Sequence, residues 1–301
     1  MSAGPDQEGP VRVLRPDLVL VDWGPMTLTI SAWRGGKPRP VMAANAARQA
    51  LSALAELADY QGYLKREAAR LPPGRPLPLV VERARRAAAL IAPEELTPLA
   101  AVAGAVADQV AEAARSLGAD KVIVNNGGDI ALRLGRRAKA VVGIRPPAPP
   151  GVETPPLLAR LALRAGDGIG GVASSGWSGR SFSPGVADLV SVWANEAAPA
   201  DAAATFIAGR VDLDSPAIRR APANTQDPGS DLGERLVVTG VGPLDPAERA
   251  QALAAGQACA AELFRAGHIR GCLILVQGEL AVLDPAGGLL PRPELCSANL
   301  L

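Results

Sequence analysis

The first candidate for metal chemistry is a carboxylate and a hydroxyl four residues apart. Asp201 and Thr205 lie in an alanine-rich stretch, residues 199–209, that predicts a helix. Side chains at positions i and i+4 share one helix face, so both oxygens are expected on one side near its start. Oxygen ligands suit Mg²⁺, which usually completes its shell with phosphate oxygens and water. The alternative, which spacing alone favours, is that Asp201 caps its own helix and Thr205 packs.

Two glycine-bearing turns could hold phosphate. In the first, Asn126-Gly127-Gly128-Asp129, paired glycines after a strand could expose backbone N–H groups to an anion. The same pattern is typical of a β-hairpin, and taken alone it favours the hairpin. The second turn, residues 173–181, gathers Ser174, Ser175, Gly176, Trp177 and Arg180. Hydroxyls, a flat aromatic ring and a guanidinium can hold phosphates and a planar ring, and they suit a solvated polar loop equally well.

The chain lacks the residues that several other catalytic classes require. His268 is the only histidine, so Ser–His–Asp triads and His-rich zinc sites are not expected, and it is interpreted as structural or surface. No P-loop is present, and no GxGxxG motif follows a strand. The three cysteines, Cys259, Cys272 and Cys296, are widely spaced and outside any CxxC motif, which indicates reduced thiols.

Composition excludes several classes of partner. The chain has 301 residues, of which 48% are apolar and 20% charged, as in a globular protein. Lys and Arg total 31 against 30 Asp and Glu, and aromatic residues are 3%, so neither nucleic acid nor an anionic membrane is an expected partner. The start lacks a secretory apolar region, and no stretch approaches the roughly 20 apolar residues of a membrane helix. The expected location is the cytoplasm.

The elements that must position these side chains alternate irregularly between helices and strands. Helices are predicted at residues 45–70, 78–91, 97–117, 199–209 and 246–266. Strands are predicted at two places within 11–33, then at 121–124, 130–134, 138–144, 159–164, 169–174, 189–193, 235–239 and twice within 271–283. Residues 212–232 and 145–151 are interpreted as loops.

This order predicts an α/β (α+β) fold in which mixed or antiparallel sheets are covered by helices, rather than a doubly wound parallel sheet. A single domain over residues 1–301 is expected, with a division into two intertwined halves, about 1–150 and 151–301, left open.

The helix before the first glycine turn has an unusual surface. Thr97 is predicted to cap it, with Pro98 at its first position and Gly118 just past its end. Residues 100–107 are nearly all Ala or Gly, so another backbone or a ligand could approach closely. Tight packing of the helix on a sheet explains the same residues.

Taken in order, four segments resemble the ApbE-like superfamily, best known for enzymes that move FMN from FAD onto a protein Ser or Thr. Residues 24–27, with Met26 and Thr27, look like its Met-Gly-Thr flavin contact. Residues 103–108 and 124–129 are similar to its Lys-Gly-Tyr helix and Gly-Gly-Asp turn. Residues 172–176 are similar to Ala-Thr-Ser-Gly, and 200–205 to the Ala-Asp-Ala-x-Ala-Thr metal motif.

The resemblance spans nearly the whole chain and implies an ApbE-like fold. It also implies a flavin or nucleotide ligand such as FAD or FMN, Mg²⁺ at Asp201 and Thr205, and a protein target. Residues 175–183 and 230–235 look like an uncharacterised soluble branch of the superfamily. Some members of that branch are linked to sulfur assimilation and homocysteine formation in anaerobes.

Several departures from the superfamily pattern bear on activity. The transferases carry a His-x-x-Asp-Pro-x-Thr-Gly segment where this chain has only residues 183–188, without that motif. Ala103 and Ala105 replace the Lys and Tyr of Lys-Gly-Tyr, and the acidic flavin contact would fall near Thr97. These departures favour flavin or nucleotide binding over FMN transfer. A non-catalytic binding or accessory protein in sulfur metabolism, and an enzyme acting on an unrelated small molecule, stay open.

Overall fold

A computed structural model describes residues 9–72, 74, 76–148, 152–291 and 299–300. Its strands are β1 Val11–Arg15, β2 Leu18–Trp23, β3 Met26–Arg34, β4 Lys37–Pro38, β5 Lys121–Asn126, β6 Asp129–Leu134, β7 Lys139–Ile144, β8 Ala159–Arg164, β9 Gly171–Ser175, β10 Leu189–Ala194, β11 Ile218–Pro222, β12 Leu236–Val241, β13 Gly271–Val276, β14 Glu279–Leu283, β15 Leu289–Pro291 and β16 Asn299–Leu300.

The helices are α1 Pro40–Asp59, α2 Gln61–Leu64, α3 Leu79–Ile91, α4 Val102–Ser116, α5 Ala197–Arg210, α6 Ala223–Gln226 and α7 Pro246–Arg265. Two short 3₁₀ helices, Ala68–Arg70 and Pro98–Ala101, lie in the connections before α3 and α4.

The main sheet has 11 strands in the order β1-β2-β3-β5-β6-β9-β10-β13-β14-β16, with β4 beside β3. Its strand pairs are antiparallel except for β14 with β16. Strands β7, β8 and β15 form a second sheet, and β11 pairs with β12. The α/β prediction of antiparallel sheets covered by helices is therefore confirmed.

Both faces of the main sheet are covered near its centre. One hydrophobic cluster joins the sheet to α1, α3, α4, α5 and α7 on one side. A second cluster joins it to β7, β8 and β15 on the other side, around the fully buried Trp193. Every residue of β10 and β13 is buried because these strands lie between the two layers. They consequently lack the alternation of apolar and polar residues that marks a half-exposed strand.

The N-terminal segment contains three strands where the sequence pattern predicted two. The missed break is Pro16-Asp17, which forms a tight turn that pairs Arg15 with Leu18. Proline followed by aspartate is a common turn pair, and the apolar run on both sides concealed it. Ser31 Oγ donates to the carbonyl oxygen of Asp17 at 2.6 Å and so fixes the turn against β3. The next turn, at Gly24-Pro25, joins β2 to β3 by pairing Trp23 with Met26.

Two predicted helices differ in their limits. The predicted helix 45–70 begins earlier, at Pro40, and ends at Asp59, with α2 and a 3₁₀ turn completing the segment. Thr97 precedes a 3₁₀ helix and makes no side-chain cap, so the predicted capping role is wrong. Its hydroxyl donates instead to the Asp231 carboxylate. Gly118, with φ of 97°, follows the C-terminus of α4 as predicted.

The segment 212–232 is not wholly loop, because it contains β11 and α6. Strand β11 pairs with β12 in a small separate sheet, with a register shift between Arg219 and Arg220. This irregular register and two prolines, Pro216 and Pro222, obscured the strand in the sequence.

Cys259 and Cys272 are free thiols, while Cys296 lies outside the described residues. Burial raises the pKa of Cys259 to about 11 and that of Cys272 to about 12, so both stay protonated and weakly reactive near neutral pH. Within the described part of the chain, no helix combines the length and apolar character needed to cross a membrane.

Candidate functional site

The predicted site residues converge on one open cleft of about 1210 Å³. The cleft lies where the start of β3, the β5–β6 turn, the end of β9 and one face of α5 meet. Ten of the predicted residues line it: Met26, Asn126, Gly127, Asp129, Ser174, Ser175, Gly176, Arg180, Asp201 and Thr205. Asp201 and Thr205 therefore do lie on one face of their helix, as the spacing predicted.

Three predicted residues do not line the cleft. Thr27 is exposed on the opposite side of β3 from the buried Met26, because successive strand residues point to opposite faces. Its hydroxyl donates to Asp22 at 3.3 Å. Trp177 packs against the main core and donates its Nε1–H to Asp188 at 3.2 Å. Gly128 is exposed in the β5–β6 turn.

Asp201 does not cap its own helix. Helix α5 begins at Ala197 after an N-cap at Glu196, which places Asp201 in the second turn. The Asp201 carboxylate accepts instead from the backbone N–H of Gly104, in the first turn of α4, at 2.9 Å. The alternative that Asp201 caps its own helix, α5, is therefore wrong. Its carboxylate caps the neighbouring helix, α4, instead.

The start of α5 is held by a carboxylate from α4. Asp108, which is fully buried, accepts from the backbone N–H groups of Ala197 at 3.1 Å and Ala198 at 2.9 Å. Arg133 of β6 pairs with Asp108 at 3.0 Å and with Glu112 at 2.7 Å, and so balances this buried charge. These bonds fix α5, and with it the face that carries Asp201 and Thr205.

The small residues at 100–107 serve close packing and also face the cleft. A Cβ on Gly104 would overlap the carbonyl oxygen of Ala197, so only glycine permits this contact between α4 and α5. Helix α4 also packs on β5 and β6, and Ala100 and Ala103 line the cleft, so both explanations offered by the sequence apply to parts of this stretch.

Two half-buried carboxylates face the cleft without a cationic partner. Burial raises the pKa of Asp129 to about 7. The pKa of Asp201 is raised well above its usual value, first by burial and then by the negative charges of Asp129 and Asp108. Neither carboxylate forms an ion pair with any described residue. A bound divalent cation would offset both the burial and the mutual repulsion.

The donor set fits a hard cation that keeps part of its shell from other sources. Asp201 and Thr205 present a carboxylate and a hydroxyl to the same cleft. Among the described residues, no group of three or more His, Cys, Asp or Glu is placed to hold a metal. The protein would therefore supply few ligands, which is the usual situation for Mg²⁺ bound together with phosphate.

The Gly127–Gly128 turn is a two-residue hairpin, with Asn126 paired to Asp129. Both glycines have positive φ, 66° and 117°, as such a turn requires. The N–H of Gly128 donates to Asn125 Oδ1 at 2.8 Å, so it is not directed at a ligand here. Asn126 donates to the carbonyl oxygen of Ala103 at 3.1 Å and ties the turn to α4.

The free positive charge at this end of the cleft belongs to Arg180. Its guanidinium lies over Gly127, where a Cβ would be 3.6 Å from Nη1. Arg180 is exposed and forms no ion pair or hydrogen bond among the described residues. Nearby, the backbone N–H of Ser174 donates to Asp129 at 3.4 Å, and the Ser174 and Ser191 hydroxyls share a hydrogen bond of 2.7 Å.

The model of the family described as AbpE bacteria matches residues 12–282. The chain belongs to this family. The resemblance to the ApbE-like superfamily, drawn from the order of the motifs, is thereby confirmed.

Relatives of this AbpE family member carry the name UPF0280. The chain is 40% identical over 143 residues to UPF0280 protein MK0206 of Methanopyrus kandleri, covering 47% of this chain and 55% of that protein. It is 37% identical over 141 residues to the UPF0280 protein of Methanothrix thermoacetophila, covering 46% and 54%. The chain thus spans about half the length of these curated relatives.

The solved structures to which this chain is similar include two ApbE proteins. The ApbE protein of Thermotoga maritima shares 12% identity at a TM-score of 0.46, covering 94% of this chain and 100% of that one. The apo flavinyl transferase ApbE of Pseudomonas stutzeri shares 14% identity at a TM-score of 0.42, covering 91% and 94%.

In this AbpE family member, residues 183–188 have structural roles. A Cβ on Gly185 would overlap the carbonyl oxygen of Ala208, so the segment packs directly on α5. Asp188 accepts from Trp177 Nε1 and from the backbone N–H of Gln277, a residue held at a φ of 42°. The carboxylate of Asp188 is thus engaged in fixing two turns.

Sequence reasoning missed the contact between Thr97 and Asp231 in the cleft wall. The two residues are 134 positions apart, so no local spacing could have joined them. In the sequence, the segment 230–235 shows a resemblance to one branch of the superfamily and, at its start, a loop composition.

Proposed function

We propose that the protein binds a flavin, or another phosphate-bearing ligand, together with Mg²⁺ in this cleft. One observation carries the proposal: Asp129 and Asp201 face the cleft beside Thr205 with raised pKa values and no cationic partner among the described residues. Asp201 and Thr205 would hold the cation. Bound Mg²⁺ would neutralise negative charge on the ligand's phosphates.

The β5–β6 turn that leads into Asp129 has groups beside it that suit a phosphate. Arg180 is exposed and unpaired among the described residues, and a guanidinium can bind phosphate through two parallel hydrogen bonds. Ser175 lies in the same wall. The cleft of about 1210 Å³ exceeds the roughly 300–1,000 Å³ of pockets for drug-sized ligands, so a dinucleotide such as FAD can be accommodated.

The reaction that fits this arrangement is group transfer at a pyrophosphate. A hydroxyl of a protein target would form a phosphoester with the FMN half of FAD, the pyrophosphate bond would break, AMP would leave, and the hydroxyl proton would pass to solvent. Arg180 would bind charge on the transferred phosphate, and Met26 would supply an apolar wall. The two described thiols are free, which supports a cytoplasmic location for this activity.

A second candidate function is binding without catalysis, for example as an accessory protein in sulfur metabolism. Residues 183–188 favour it, because Gly185 and Asp188 are engaged in packing and turn formation. No described residue of that segment is left to act as a general base.

Calorimetry with FAD, FMN and riboflavin, each with Mg²⁺ or with EDTA, tests the binding proposal. We expect FAD and FMN to bind more tightly with Mg²⁺, and riboflavin, which lacks phosphate, to show no Mg²⁺ dependence. Absence of heat for all three ligands would remove the flavin assignment. Release of AMP from FAD in the presence of a Ser- or Thr-containing acceptor protein separates transfer from binding alone.

A further inference from the structure

A second, smaller pocket of about 450 Å³ adjoins the cleft. It is called here the side pocket and is lined by Lys65, Arg66, Glu67, Arg70, Thr97, Asp231 and Arg235. Thr97, Asp231 and Arg235 line both cavities, so the two spaces lie side by side and share these three side chains.

The basic side chains of the side pocket outnumber its carboxylates. Four basic side chains face two carboxylates, although the whole chain carries a net charge of only +1. Glu67 is shared by Arg70 at 2.7 Å and Arg235 at 3.1 Å, and Asp231 accepts from the neutral Thr97. Both carboxylates are thus already engaged.

Two cations remain without an acidic partner. Lys65 Nζ donates only to the backbone carbonyl oxygen of Gly229, at 2.6 Å. Arg66 is exposed, and its guanidinium makes no hydrogen bond or ion pair with any described residue. Like charges gathered in a concave surface attract an anion more strongly than the same charges scattered on a convex one.

We propose that the side pocket binds a phosphate group, as a second anionic subsite beside the cleft. Donors from two separate segments, 65–70 and 235, line the pocket, and ammonium and guanidinium groups suit an anion with several acceptor oxygens. This inference rests on the proposed function for the first phosphate site. A ligand of the cleft would then carry a second phosphate in addition to the one beside Arg180.

Inorganic phosphate, titrated in the presence of EDTA and followed by ³¹P NMR line broadening, tests the side pocket without the metal site. We expect the double variant Lys65→Gln/Arg66→Gln to bind phosphate about tenfold more weakly, since two exposed charge contacts together are worth about that factor. Arg137→Gln, which removes an equally exposed charge away from both cavities, should bind like the wild type. Arg66→Gln alone should show part of the loss with an unchanged thermal midpoint.

Equal phosphate affinity in the double variant and the wild type, or no phosphate binding by the wild type, would overturn the assignment. A repeat titration with FAD and Mg²⁺ present distinguishes a phosphate of the cleft ligand, which displaces inorganic phosphate, from free phosphate, which binds beside it. The metal-free titration involves neither Asp201 nor Thr205. The phosphate proposal for the side pocket can therefore be wrong while the Mg²⁺ proposal holds, and the Mg²⁺ proposal can be wrong while the phosphate proposal holds.

Discussion

Asp108 and Asp201 cap each other's helices. Asp108 on α4 accepts from the first backbone N–H groups of α5, and Asp201 on α5 accepts from the N–H of Gly104 in the first turn of α4. Each carboxylate lies at the positive end of the neighbouring helix dipole, where negative charge is stabilised. These three hydrogen bonds hold the two helices against each other.

The pair is unequal in one respect that bears on function. Asp108 has Arg133 beside it and is fully buried, whereas Asp201 has no cationic partner among the described residues and faces the cleft. Oδ2 of Asp201 accepts from the N–H of Gly104 at 2.9 Å, and the backbone N–H of Ala103 also stabilises the carboxylate. The same side chain thus supports the fold and faces the cleft.

Asp201→Asn should abolish the Mg²⁺-dependent part of ligand affinity and leave metal-free stability equal or higher. The amide oxygen can still accept from Gly104, while the cost of a buried charge disappears. Asp201→Ala removes that hydrogen bond as well and should lower the free energy of unfolding by about 1 kcal/mol. Calorimetry and thermal denaturation of both variants measure the two effects separately. Retained Mg²⁺ dependence in Asp201→Asn would exclude Asp201 as a ligand.

Thr205→Val should weaken the same Mg²⁺-dependent term less than Asp201→Asn does, because a neutral hydroxyl binds a cation less strongly than a carboxylate. Thr205→Ser keeps the hydroxyl and is the matched control. If Thr205→Val and Thr205→Ser bind ligand and Mg²⁺ with equal affinity, the Thr205 hydroxyl is not a metal ligand and the side chain serves only in packing.

Metal-free stability should fall as the pH rises, because of Asp129. Burial raises its pKa from 3.8 to about 7, so between these values the folded state holds a proton that the unfolded state has lost. A group of this kind stabilises the fold below 3.8, and that contribution is lost as the pH approaches 7. Asp129→Asn should flatten this part of the profile, whereas Asp59→Asn, an exposed carboxyl on α1, should leave it unchanged. Urea unfolding at several pH values with EDTA gives the profiles, and identical slopes for wild type and Asp129→Asn would contradict the expectation.

Arg180→Gln should weaken binding of phosphate-bearing ligands about tenfold, or roughly 1.4 kcal/mol, without changing stability. Its guanidinium is exposed and makes no bond to the described protein that the variant would lose. Titration of FMN and riboflavin in parallel measures the effect, which should be confined to FMN. Arg137→Gln is the charge-matched control, and an equal loss in that variant would show only a general effect of net charge.

Gly104→Ala should destabilise the fold by about 1–3 kcal/mol or more, because its Cβ would overlap the backbone of Ala197, which cannot move like a flexible side chain. Gly62→Ala in α2 is the control, since no atom lies within 4 Å of its Cβ position. That variant should be neutral or more stable by up to about 1 kcal/mol. Chemical denaturation compares the two, and equal stability would show that α4 and α5 are not in close contact.

The sequence determined the parts of this protein that depend on local pattern. Spacing of four residues placed Asp201 and Thr205 on one helix face, and the paired glycines at 127–128 specified a hairpin. The order of the motifs was sufficient for the family. These features follow from backbone geometry within a few residues of each position, and local geometry is what a sequence pattern encodes.

Only the tertiary structure decided the contacts between distant segments. The acceptor role of Asp201 toward Gly104, the buried Asp108–Arg133 pair and the Thr97–Asp231 bond join residues 97, 25 and 134 positions apart. Tertiary packing also directed Trp177 away from the cleft and engaged Asp188 in turn formation. Each outcome depends on which backbone groups become buried together and must find partners, and that is settled when the layers pack.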